Sequence, residues 1–189
     1  MVSATSPLDT LPAEARDAAR TAKRIVVVTG EKGDAFADAR AAAFEVAESS
    51  GAEIILYDRS AESHFIDPYL AGPVAADVRG SHGESLLDEK AAETLGRAYL
   101  ADQIREALSH DVKAKAWLPL HTGNEGIAEC VSRFGADLVI LPETVAKGSP
   151  LDKLAGVDGD DESGEIGAPV LVVTSDGLAP APDDAKEAS

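Results

Sequence analysis

The chain has 189 residues, 44% hydrophobic but only 4% aromatic, and a formal net charge of -17 from 34 acidic against 17 basic side chains. That length fits one domain with a full core of Ala, Val, Leu and Ile, and the acidic surface repels nucleic-acid phosphates and anionic lipid, which argues against both as partners. The single cysteine, Cys130, excludes an intrachain disulfide framework. No apolar run approaches the roughly 18 residues of a membrane span, and the start MVSATSPLDTLPAEARD has neither the basic nor the apolar part of a secretory signal. A soluble cytoplasmic protein is expected.

Residues 1–22 read as an amino-terminal extension outside the sheet, with Thr10 as a cap, Pro12 in the first turn and a short helix over Ala13 to Ala22. The stretch RIVVVTGEKGD then opens the folded unit. Ile25 to Val28 are four β-branched residues without polar alternation, the pattern of a strand buried on both faces. Gly30 and Gly33 break it, and Ala35 to Ser50 follows as a helix, with Phe36, Ala39, Ala43 and Ala47 at helical spacing and Gly51 as its stop. Ala52 to Asp58 is a second buried strand. Arg59 to Ser85 carries Pro68, Gly72, Pro73, Gly80 and Gly83 without a period, which reads as a functional lid or a disordered insertion.

Leu86 to His110 is predicted as the longest helix, with Leu87, Ala91, Thr94, Ala98, Ala101 and Leu108 on one stripe. Lys113 to Leu120 is a third strand, and Pro119 argues for an edge position because it cannot donate to a ladder. A helix capped near Asn124 buries Ile127, Cys130, Val131 and Phe134 and ends at Gly135; Asp137 to Leu141 is a fourth buried strand. Ser149 and Pro150 start a short helix closed by Gly156, and Val157 to Gly167 is an acidic loop. Ala168 to Thr174 is a fifth strand, and the tail 176–189, rich in Pro, Ala and acids, is expected to be disordered. Five strands alternating with helices imply a parallel sheet with right-handed crossovers and ligands beyond the strands' carboxyl ends.

At this point the chain resembles the universal stress protein family over about Lys23 to Thr174. The resemblance lies in the first strand with TGEKGDAFADARAAAFEVAESSGAEIILYD, in the run GNEGIAECVSRFGADLVIL, and in the closing APVLVV. It implies an α/β domain over 23–175 with a five-stranded parallel sheet in the order 3-2-1-4-5, helices on both faces, and a crevice between the first and fourth strands. Family members that bind ATP carry an aspartate at the end of the first strand, where this chain has Thr29. They also carry a Gly-x2-Gly-x9-Gly-Ser/Thr motif after the fourth, whose glycine positions fall here on Pro142, Val145 and Ala155. Pro142 has no N–H and Val145 is β-branched, so neither suits a backbone cradle for phosphate. The ATP site is expected to be lost or remodelled, leaving no cofactor.

The candidate crevice residues at the strand ends are Thr29, Gly30, Glu31, Asp58, His121, Thr122, Glu143, Thr144, Gly148 and Ser149. The segment Thr29 to Gly33 is neither a Walker loop nor a dinucleotide fingerprint, and Glu31 and Asp34 would compete with an anion for the helix amino terminus. His121 could accept a proton but reads as a solvated loop residue. His64, His82, Asp67 and Asp77 match no zinc spacing, and Ser163 stands where an EF-hand loop counted from Asp158 needs glycine. Cys130 lies on a core stripe and reads as packing. No catalytic or metal residues are assigned. The expected protein is a non-catalytic regulatory or binding module; the alternative is a nucleotide-binding member with a variant loop and slow ATP hydrolysis. The last strand, Val170 to Thr174, is apolar on both faces at a sheet edge, and the resemblance implies homodimer formation through it.

Overall fold

A computed structural model describes residues 7–60, 85–119, 123–146 and 166–181. A 3-10 turn (Pro7–Thr10) and α1 (Ala13–Thr21) lead into β1 (Arg24–Thr29), α2 (Asp34–Ser50) and β2 (Glu53–Asp58). Then come α3 (Glu89–Thr94), α4 (Ala98–Ser109), β3 (Ala114–Trp117), α5 (Gly123–Phe134), β4 (Leu138–Pro142), α6 (Glu143–Ala146), β5 (Val170–Thr174) and β6 (Gly177–Pro180). The sheet order is β3-β2-β1-β4-β5-β6, with the first five strands parallel. The central β1, with Ile25 to Val28 fully buried, is the position its uninterrupted apolar run dictates.

Alternation along each strand sorts the core into two layers. Ile25, Val27, Ile54, Leu56, Leu138 and Ile140 point to the side covered by α1, α2, α3 and α4. Val26, Val28, Ile55, Tyr57, Val139 and Leu141 point to the other side, where α5 supplies Ile127, Cys130 and Val131. Three rings meet there: Trp117 lies 5.8 Å from Tyr57 and 5.7 Å from Phe134, ring centre to ring centre. At the amino end of the sheet, the Asp137 carboxylate accepts the backbone N–H groups of Lys23 and Arg24 at 3.1 Å, which ties the entries of β1 and β4 together. Gly51 and Gly135, with φ of 75° and 63°, end α2 and α5 in the left-handed conformation, as the sequence predicts.

Four expectations are corrected. The sheet has six strands, because Gly177–Pro180 of the supposedly disordered tail forms β6, antiparallel to β5 from Thr174↔Gly177 to Leu171↔Pro180. Val170 to Thr174 is therefore no edge: β4 takes one of its ladders and β6 the other, so the expected homodimer cannot use it. The amino-terminal extension is no mere appendage, since Leu8, Leu11, Ala19 and Ala22 are buried in the core layer that also holds Leu178. The predicted helix over 86–110 is two helices. The chain turns at Gly96, whose φ is 71°; of the predicted stripe Leu87 and Ala101 are buried but Leu108 is 52% exposed, and α4 buries Leu100, Ile104 and Ala107 beside Ala101.

β3 is at the edge, as Pro119 suggests, although the strand stops at Trp117 before the proline. Its outer side is not bare. Leu87 and Ala116 exchange both backbone hydrogen bonds, at 2.7 and 2.9 Å. The segment 61–84, the short helix expected at Ser149 to Gly156, most of the acidic loop and the tail beyond residue 181 lie outside the described residues.

The β6 pairing predicts the oligomeric state. The whole chain should give a monomer mass by light scattering at tens of micromolar. A chain ending at Asp176 should be less stable and self-associate, because it uncovers the apolar β5 ladder. A truncated chain that stays monomeric with unchanged stability would show that β6 does not guard this edge.

Candidate functional site

The carboxyl edge of β1 and β2 is where the expected ligand side chains sit, and the pleat decides their fate. Thr29 and Asp58 are register partners at the two strand ends. Each continues the alternation that places Val27 and Leu56 in the core layer covered by α1 to α4, so both point into that layer and are fully buried. Their polar atoms must therefore be satisfied from within the protein.

Helix α4 supplies the partners. Tyr99, Gln103 and Glu106 recur at i, i+4 and i+7, which lines them along one face. Tyr99 donates its hydroxyl to Asp58 Oδ2 at 2.5 Å. Gln103 accepts from the Thr29 hydroxyl at 3.0 Å and donates to the Gly30 carbonyl at 3.2 Å. Glu106 holds Arg40 of α2 at 3.0 Å, and the same guanidinium donates to Thr29 Oγ1 at 3.2 Å. Asp58 has further partners: the Ser60 N–H donates to Oδ1 at 2.9 Å, and Arg97 Nη1 stands 3.6 Å from Oδ2. Ser60 Oγ in turn accepts the Glu31 N–H at 2.8 Å, which joins the loops after β1 and β2.

Burial dominates the ionisation of this cluster. It pushes the Asp58 carboxyl above its ordinary value, with the Tyr99 hydrogen bond and the Arg97 charge pulling the other way. Burial and then the Asp58 charge raise Tyr99, so it stays a hydrogen-bond donor throughout the physiological range. An acid at the end of β2 is where dinucleotide folds bind a ribose hydroxyl. Here its oxygens are taken by Tyr99, Ser60 and Arg97.

The glycines of the β1 turn are explained by packing. A Cβ on Gly30 would lie 2.9 Å from the Phe36 ring and 3.1 Å from Ser60 Oγ, and Gly33 has a φ of 124°. Gly33 also precedes α2 without a side-chain cap, while Asp34 in the first turn complements the helix dipole. Glu31 is exposed. Across the sheet, β4 runs straight into α6, so Pro142 is paired with Val173 in the ladder and Glu143 and Thr144 open a helical turn. Val145 packs against the core layer under α5. His121, Thr122, Gly148, Ser149 and Ala155, and the loop residues His64, Asp67, Asp77 and His82, lie outside the described residues, as do Asp158 to Glu165.

The structure thus brings together Thr29, Gly30, Glu31 and Asp58 through Gln103, Ser60, Tyr99 and Arg97, four partners that the sequence reading did not single out. Gln103 carried a signal, being a polar residue between Leu100 and Ala107 on the buried stripe of its helix. Cys130 is buried beneath α5, where desolvation and then the neighbouring Glu129 push its thiol up to about 12, far from a reactive thiolate. A groove of about 740 Å³ lies at the opposite, amino-terminal end of the strands, bordered by Lys23, Glu48, Glu53, His110 and Lys113. Glu48 is matched there by His110 and Glu53 by Arg24. Among the described residues no group of three or more His, Cys, Asp or Glu could hold a metal, and no helix is long and apolar enough to cross a membrane.

No protein-family model and no curated protein matches the chain. Among solved structures it is similar to a universal stress protein family member from Burkholderia pseudomallei, at 17% identity and a TM-score of 0.46, covering 82% of this chain and 96% of that one. A universal stress protein from Archaeoglobus fulgidus is similar at 13% identity and a TM-score of 0.42, covering 64% of this chain and 74% of that one. A universal stress protein in complex with cAMP is similar at 19% identity and a TM-score of 0.44, covering 82% and 98%. All three bear the family name that the sequence resemblance gives.

Two outcomes test the buried cluster. Gln103→Leu strips a partner from both Thr29 and the Gly30 carbonyl, and should cost about 1–3 kcal/mol in urea denaturation; a change within about 0.5 kcal/mol, as for an ordinary surface site, would show that the network contributes little. Asp58 titrates above its unfolded value of 3.8, so the stability it contributes is full below that pH and is lost as pH rises through the folded midpoint. The neutral isostere in Asp58→Asn does not suffer that loss. Its stability relative to the unchanged protein should therefore climb as pH rises from about 4 to 7, and a difference that is flat with pH contradicts the assignment.

Proposed function

We propose that the chain is a universal-stress-type regulatory or binding module without catalysis of its own, in which the nucleotide crevice of that fold is closed. The observation that carries this reading is the commitment of Thr29. At the position where the family's ATP binders present an aspartate, this chain has a fully buried hydroxyl held by Gln103 and Arg40. Pro142 and Val145 support the reading from the other side of the crevice. One lacks an N–H, and the other packs its side chain where a glycine would let phosphate approach. The proposed setting is the cytoplasm, in keeping with a single buried cysteine and an acidic surface.

Calorimetry with ATP, AMP and cAMP tests the proposal directly. No heat of binding, or binding only at millimolar nucleotide, is the expected result. A micromolar dissociation constant would instead establish the alternative, a nucleotide-binding protein with a variant phosphate loop. Denaturing mass spectrometry of freshly purified protein gives an independent readout, because a co-purifying nucleotide would contradict the proposal without any assumption about affinity.

A further inference from the structure

We propose that Asp58, Tyr99 and Arg97 form a proton-operated latch that pins the amino end of α4 to the carboxyl end of β2. Helix α4 has twelve residues, yet Arg97 at its N-cap gives no side-chain cap and its first turn holds no acid. The positive end of the helix dipole is therefore uncompensated from within the helix. The missing anion comes from another element. Asp58 Oδ2 accepts the Tyr99 hydroxyl at 2.5 Å and faces Arg97 Nη1 at 3.6 Å, while Arg97 Nη1 donates to the Tyr99 hydroxyl at 3.1 Å. The turn at Gly96 fixes this approach, since the Arg97 N–H bonds back to the Ala92 carbonyl at 2.9 Å.

The groups around Asp58 make it the member that titrates. From α4 they are Arg97 and Tyr99, and burial raises Tyr99 so that it remains a donor. From the chain after β2 it is Ser60, which donates its N–H to Asp58. From β1 the neighbour is Thr29, engaged by Gln103 and by Arg40, which Glu106 also holds. Glu31 reaches the cluster through its backbone N–H on Ser60. Among the described residues, Arg97 is the cation whose charge pulls on Asp58.

Adding a proton to Asp58 removes the attraction for Arg97 and for the helix dipole but leaves the carboxyl able to share a hydrogen bond with Tyr99. Arg97, whose side chain is 19% exposed, can then turn to solvent. Acidification thus loosens the first turn of α4 while the stability linked to Asp58 rises, because a buried ion is being neutralised. These opposite signs separate the latch from general acid unfolding.

Carboxyl-carbon NMR on the whole chain, with Asp58→Asn used to assign the signal, tests the proposal. Asp58 should titrate above 3.8, and the Tyr99 ring and Arg97 Nε–H signals should move with the same midpoint. In Tyr99→Phe the loss of the donor should raise the Asp58 midpoint by about one pH unit. If that variant fails to fold, Arg97→Gln is read in the same way, since loss of the cation also raises the midpoint. A midpoint at or below 3.8 overturns the latch. So do Arg97 and Tyr99 signals that ignore the transition, or a folded variant whose Asp58 midpoint does not move.

Discussion

The constraint on which the rest depends is the burial of two polar side chains at the ends of β1 and β2. A parallel sheet covered on both faces leaves no water for Thr29 and Asp58, and the pleat turns both toward the helical side. An apolar α4 would leave the Gly30 carbonyl without Gln103 and would take one partner each from the Thr29 hydroxyl and the Asp58 carboxylate, at about 1–3 kcal/mol for a buried group left unpaired. The stripe Tyr99, Gln103, Glu106 removes that cost, and in doing so fixes the rotation of α4 and its height over the sheet.

The same logic of satisfied backbone governs the sheet's sides. Leu87 closes the outer ladder of β3 at Ala116, and β6 closes that of β5. Both devices are short antiparallel pieces, one drawn from the start of a stretch that reads as helix and one from a stretch that reads as a disordered tail. The new outer edge is four residues long and ends in Pro180, which offers no N–H to another chain. Leu178 then joins the layer that holds Leu8 and Leu11 near the amino terminus. The two ends of the described chain thus help to finish one core.

Legibility followed burial. Four apolar β-branched residues at Ile25 to Val28 can hardly be placed anywhere but in a central strand, and Gly51 and Gly135 mark helix ends because only a residue without a Cβ takes those turns easily. β6 was invisible because GLAP, inside a tail of Pro, Ala and acids, has neither β-branched residues nor alternation; its pairing comes from the unsatisfied β5 ladder, which is tertiary. The α3–α4 break was hidden for a similar reason. A lone glycine in a helical pattern is tolerated often enough that Gly96 did not by itself predict a turn. For the site, Thr29 and Asp58 could be placed at the edge from sequence. Their direction could not, since it depends on which face α4 covers.

That direction bears on function more than the identity of the residues does. In an α/β sheet, ligands are held by groups that emerge at the strand ends and remain unpaired. Here the side chains of Thr29 and Asp58 lead inward. Gly30 is small because Phe36 and Ser60 crowd it, and its carbonyl is bound by Gln103. On the neighbouring strand Pro142 is locked in the ladder with Val173. A phosphate approaching the mouth of α2 would meet Glu31 and Asp34, two like charges at that helix terminus. Thr29, Gly30 and Asp58 thus hold the carboxyl end of the sheet to its helices, through Gln103, Arg40, Tyr99 and Arg97.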